Sequence, residues 1–162
     1  MAESAQLFIE ESRSLLRSYL VKIEHSVAQL STEDVWWRPN EASNSIGNLL
    51  LHLRGNVTQW IVGGVGRQPY ERHRQQEFDE RSPRSIGELM AGLKAVLDEA
   101  DGIIAGLQAD SLATRRHVQN YDTTVLQAIY HVVEHFSMHT GQIILITKAR
   151  TGSDLGLWKP PQ

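Results

Sequence analysis

The chain contains no cysteine. Disulfides, thiolate zinc sites, cysteine nucleophiles and iron–sulfur clusters are thereby excluded. Any metal must be held by histidine and carboxylate, and any thiol in a reaction must arrive with a substrate. Positive charge is also scarce. The 162 residues carry a formal net charge of −3, which leaves no electrostatic footprint for nucleic acid. No stretch approaches the roughly 18 to 20 apolar residues that span a bilayer. The opening MAESAQLFIEESRS carries acids where a signal peptide would carry positive charge ahead of an apolar run. These absences predict a cytoplasmic protein with neither nucleic acid nor membrane as partner.

What remains is ordinary globular material. Hydrophobic residues make up 41% and charged residues 22%, a composition that argues against disorder. The length suits one domain with a sizeable core, over residues 1–162, with a short C-terminal tail at 151–162. Strand signals are sparse, and four segments carry helical periodicity. The first runs from about Ala5 to Leu30, with Leu7, Phe8, Leu15, Leu16, Leu20, Val21, Ile23 and Val27 as its apolar side. A connector with Pro39 and an Asn/Ser cluster follows. Ser45 is the expected N-cap of a second helix, about Ile46 to Val62, ending before Gly63 and Gly64.

The connector from Gly66 to about Arg84 shows no core pattern, and its charge run at 71–84 reads as a solvated loop. Ser85 and Glu88 form a capping box that opens a third helix, to about Leu107. After a polar link, Asp122 or Thr123 can cap a fourth, from about Thr124 to Arg150, with Gly152 just past its end. NSIGNLLL at 44–51 and RSIGELMA at 84–91 echo one another, by duplication of a helix pair or by convergent capping. The fold class is therefore all-α, a four-helix bundle whose long connectors allow crossovers between non-adjacent helices.

Seven histidines are present, three of them at 131, 135 and 139. That spacing stacks the rings on one stripe of a helix. His131 and His139 are then about 12 Å apart along the axis, too far for one metal with bonds of about 2.1 Å. One ion can take either neighbouring pair, and a third ligand must come from elsewhere. His52, flanked by Leu51 and Leu53, is a candidate, within a polar stripe Asn48–His52–Asn56 on the second helix. Two buried polar stripes are satisfied by facing one another or by sharing a metal. The plain alternative keeps these histidines as hydrogen-bonded core groups. His25, His73 and His117 read as ordinary polar positions, and Trp36, Trp37 and Trp60 as core or interface aromatics rather than substrate platforms.

Three pieces, WWRPN at 36–40, SIGNLLLHLRGN at 45–56 and HVVEHFSMHTGQI at 131–143, resemble the DinB/YfiT-like metalloenzyme family, which includes thiol-dependent S-transferases. The likeness extends in order and helix count over nearly the whole chain, and a DLG piece at 154–156 places it nearest a subfamily carrying the same WWRPN. The resemblance implies a bundle, usually a homodimer, with a divalent metal held by His52, His135 and His139. It thereby selects the 135/139 pair and leaves His131 as support for a ligand or a bound water. Shared ligands do not fix a shared reaction.

Three neutral nitrogens leave positions for water or substrate, as catalytic sites do. The first expectation is a transferase that activates a low-molecular-weight thiol. A metal-dependent hydrolase and a non-catalytic metal-binding or stress-response protein are the alternatives. Asn48, Asn56 and Gln142 are pocket candidates. No general base stands out, since Glu134 turns about 100° away from His135. Imidazole ligands suit zinc or nickel first, with iron or manganese also possible.

Overall fold

Helix α1 (Ala2–Val27) buries Ile9, Leu16, Leu20, Ile23 and Val27, a stripe at three- and four-residue steps. In the computed structural model, which describes residues 2–158, that stripe is narrower than the sequence suggests. Leu7 and Val21 face solvent, at 59% and 61% exposure, because they fall outside the arc that α1 presents to its neighbours. The expected tail lies outside the described residues from position 159 onward.

Three capping boxes open the next elements. Ser31 with Asp34 starts the short α2 (Thr32–Trp36), Ser45 with Asn48 starts α3 (Ile46–Val57), and Ser85 with Glu88 starts α5 (Ile86–Ala105). Each hydroxyl accepts a bond from the third residue's backbone N–H, and that residue's side chain returns one to the cap. Both expected serine caps are therefore in place. The last long helix, α6 (Val125–Thr151), is capped instead by Thr124 with Gln127, not by Asp122 or Thr123. A T-x-x-Q box was readable there. Gly152, with φ 66°, closes α6 in the left-handed conformation that glycine adopts without strain.

The second helix does not stop before Gly63. It continues from α3 as a π-helix, Thr58–Val65, in which Gly66 N–H bonds the carbonyl of Ile61. The glycines serve close approach rather than termination. A Cβ on Gly64 would stand 2.6 Å from Val118, so its absence lets the following hairpin lie against the π turns.

Helix α1 packs on α5 and α6, and α3 packs on the same two. Consecutive long helices α1 and α3, and likewise α5 and α6, thus stand across the bundle from one another, joined by long crossovers. The all-α bundle expected from the pattern is the observed one, with two additions. Helix α4 (Arg74–Asp79) interrupts the charged connector. A 3-10 turn (Ala109–Ala113) then leads into an antiparallel hairpin, β1 (Arg115–Val118) and β2 (Tyr121–Thr124), within the polar link. The core, including the fully buried Phe136, Ile129, Leu53 and Ile61, runs the length of the bundle. Each such side chain contributes about 1.5 to 3 kcal/mol by leaving water. No described helix is long and apolar enough to cross a membrane.

Candidate metal centre

Because α3 packs on α6, His52 meets the histidine stripe side on. Its Nε2 lies 3.0 Å from Nε2 of His135, which lies 3.1 Å from Nε2 of His139. All three rings are buried, at 5% to 8% exposure, and each offers one nitrogen within 4.8 Å of the others. Donors bonded to one ion at about 2.1 Å stand about 3.0 to 3.4 Å apart at angles between 90° and tetrahedral. The two contacts of His135 fit that range and the third separation is within 4.8 Å, so three buried histidines close together could hold a metal ion.

The outer nitrogens explain why the inner ones converge. Nδ1 of His52 donates to Oε2 of Glu77 at 2.8 Å, and Nδ1 of His139 donates to Oε1 of Gln142 at 2.7 Å. Both partners can only accept, so the protons sit on Nδ1 and both Nε2 lone pairs are free for an ion. His135 has no such anchor: its Nδ1 is buried without a partner among the described residues. With no ion bound, a single proton on His135 Nε2 can be shared with its two neighbours; ligation of a cation at Nε2 would leave the neutral ring's proton on Nδ1. Burial pushes the His135 imidazole down to about 3, helped by His139, His52, His131 and Arg72. Burial also lowers His139. Both shifts favour the neutral ring, the form that ligation requires.

Glu77 is itself held by Arg72, through Nε to Oε1 at 2.7 Å and Nη2 to Oε2 at 2.8 Å. Burial pushes the Glu77 carboxyl up, but bonding and charge from Arg72 and His52 outweigh it, so it lies below the ordinary range. Nη2 also approaches Nδ1 of His52 at 3.2 Å. With the proton on Nδ1, this is a contact through the shared carboxylate oxygen, not a second hydrogen bond. The pair reaches His52 over Gly55, where a Cβ would lie 2.8 Å from Arg72 Nε and overlap the Glu77 carboxylate.

Arg72 and Glu77 were missed in the sequence, where the 71–84 run reads as a solvated loop. The structure corrects that reading at these positions, with side chains 5% and 11% exposed. Charged residues five apart in a polar segment carry no periodic signal, and their burial depends on the distant glycine. Asn48 is also corrected. It is fully buried, but its side-chain oxygen accepts from the Ser45 cap of α3 and from Arg38 at 2.7 Å, while its Nδ2 donates to the carbonyl of Glu77 at 2.8 Å. It fixes the segment carrying Glu77 and does not line the cavity.

A cavity of about 800 Å³ opens beside the cluster, lined by His52, His135, His131, Asn56, Trp60 and the hairpin residues Gln119 and Tyr121 among others. His131 stands apart from the three converging nitrogens, its Nε2 accepting from Asn56 Nδ2 at 3.1 Å and its ring 4.4 Å from Trp60. Trp60 is thus a cavity wall as well as a core residue, beyond the role expected for it. Gln142, although exposed, supports His139 as above. Glu134 is exposed and turned from the cluster. His25, His73 and His117 bond the Leu155 carbonyl, Glu71 and Asp122, as ordinary polar residues do.

Fold and site together define an all-α, DinB-like bundle with a buried histidine cluster. A family model described as "Protein of unknown function (DUF1572)" matches residues 3–158, and the chain belongs to that family. Solved structures agree on the fold. A conserved protein from Enterococcus faecalis superposes with TM-score 0.76 at 15% identity, over 89% of this chain and 97% of that one. A DinB-like protein from Bacillus cereus superposes with TM-score 0.65 at 16% identity, over 87% and 93%. No curated protein matches the chain.

Proposed function

We propose that the chain binds one divalent metal ion through His52, His135 and His139, and serves as a metal-dependent enzyme acting on a small thiol. The carrying observation is the convergence of three Nε2 atoms, two of them oriented by acceptors on Nδ1. An ion at this position would act as a Lewis acid, lowering the pKa of a thiol or water in the cavity. The protein's own part is to keep His135 and His139 neutral by burial, to orient His52 through Glu77, and to hold a substrate against Trp60 and His131. The solvent-open cavity supports catalysis over storage. It also supports the second reading, a hydrolase using water at the same place. Zinc or nickel is the proposed ion, on the preference of imidazole.

A homodimer follows the family resemblance and would cover the outer stripe of α6, where Leu126, Tyr130, Met138 and Leu145 are exposed. The test of the central reading is metal content. Metal-stripped protein, reconstituted with zinc, nickel or iron, is expected to retain close to one ion per chain. Retention below about a tenth of an ion per chain sinks the three-ligand centre. Loaded protein is then offered a panel of thiols with electrophiles and a panel of esters. Turnover no faster than with metal-free protein removes the enzyme reading and leaves metal binding.

A further inference from the structure

The cavity wall beyond the histidines has donors to spare. Each guanidinium nitrogen of Arg72 already donates, to Glu77 or to Gln59. Arg74, which also lines the cavity, makes no ion pair or hydrogen bond among the described residues. Its guanidinium rests 5.0 Å over the ring of Phe78, and that ring lies 4.6 Å from the His52 imidazole. An unpaired cation therefore stands one aromatic ring from the proposed ligands.

Two neutral donors accompany it. Asn56 Nδ2 donates to Nε2 of His131, which places the proton of that neutral ring on Nδ1, without a partner among the described residues. Gln127 uses its Oε1 to accept from the cap of α6, leaving its amide N–H groups unengaged among the described residues. The carboxylate among the lining residues, Asp122, has a side chain 79% exposed and is bonded to His117. Three neutral imidazoles also leave the charge of a divalent ion undischarged. This last point rests on the metal reading proposed above.

We propose that the cavity selects an anionic substrate, a thiol bearing a carboxylate whose oxygens meet Arg74. His131 Nδ1–H and Gln127 Nε2–H serve as further donors, and Trp60 flanks the apolar body of the molecule. Arg74 is a specificity-determining residue that reads the end of the substrate away from the sulfur. A guanidinium meets a carboxylate with paired N–H···O bonds, which a neutral amide cannot match.

The experiment uses the full chain loaded with cobalt(II), titrated calorimetrically with 3-mercaptopropionate and with its uncharged amide of nearly the same shape, 3-mercaptopropionamide. The carboxylate is expected to bind at least about tenfold tighter, the scale of a charge-assisted bond. In Arg74→Gln that preference is expected to fall below about threefold with cobalt still bound, because a neutral amide side chain cannot replace the bidentate pairing. Equal affinities overturn the proposal, as does binding of neither compound. A preference that survives Arg74→Gln also overturns it, because the carboxylate then sits on the ion. The thiolate-to-cobalt absorption band reports separately on the function reading. A preference without the band keeps the anion proposal and removes the thiol one, and the band without a preference does the reverse. No cobalt uptake removes both.

Discussion

Glu77 accepts a 2.8 Å hydrogen bond from Nδ1 of His52, 25 residues earlier in the chain, and so turns the other nitrogen of that ring towards His135. A carboxylate behind a metal-binding imidazole fixes its tautomer and raises its basicity. Glu77→Gln keeps an acceptor but removes the charge, and should weaken zinc affinity about 10- to 100-fold while leaving the stoichiometry near one. Competition against a chelator of known affinity reads this. Unchanged affinity would show that the carboxylate only balances Arg72.

The four histidines of the site should separate into two classes. His52→Ala, His135→Ala and His139→Ala should each abolish tight binding. His131→Ala should retain the ion with reduced affinity, since its nitrogen is occupied by Asn56 and lies outside the converging set. Elemental analysis after dialysis discriminates them. Loss of metal from the His131 variant, with retention in His139→Ala, would overturn the ligand choice.

Gly55→Ala tests the same pair from the side of α3. The added methyl overlaps Glu77 and crowds Arg72, whereas alanine normally favours a helix by about 1 kcal/mol over glycine. Zinc affinity should fall even though the helix itself gains propensity. An affinity equal to wild type means that the Arg72–Glu77 pair shifts without releasing His52.

Acid should destabilise the metal-free protein before it destabilises most of its surface. His135 is held down to about 3, against an ordinary value of 6.5. Between those values the unfolded chain binds a proton that the folded chain refuses, so stability is lost as pH falls from about 6.5 towards 3. Glu77, lowered below its ordinary 4.5, adds a loss of the same sign below that pH. The Tm of metal-free protein, measured from pH 7.5 to 4, should fall steadily, and His135→Phe should flatten the upper part of the slope. A flat wild-type profile between pH 6.5 and 5 counts against the buried neutral ring.

Gln119 occupies the tip of the hairpin with φ 56°, a conformation that costs a non-glycine residue about 1 to 3 kcal/mol. Its amide also donates to Gln59. Gln119→Gly should raise or preserve the Tm while weakening ligand binding in the cavity. A marked drop in Tm would show that the bond to Gln59 outweighs the backbone cost.

The four long helices were legible because each carries its apolar stripe locally, and α3 and α5 their serine caps as well. Ser45, Ser85 and the end at Gly152 stand in the sequence as they stand in the fold. The hairpin and α4 were not legible, since neither has a periodic pattern long enough to register. Their residues are held by long-range partners, as Glu77 is by Asn48 and His52. The histidine stripe pointed to the site through spacing alone. Its supporting shell depends on which helices pack together, and Arg72 and Glu77 acquire their meaning only when α4 lies across Gly55. Trp60 was half legible: its burial follows from composition, but its place on the cavity wall follows from a change in helix winding.

That change in winding divides one helix into two independently adjustable halves. His52 and Asn56 sit on α-helical turns, while Gln59 and Trp60 sit on the π turns that follow. A π segment behaves as an α-helix with a residue inserted. Loss of one residue between 58 and 65 would therefore rotate the downstream side chains by about 100° and leave His52 in place. Lineages that gain or lose that residue can reshape the cavity wall without disturbing the nitrogen donors beside it.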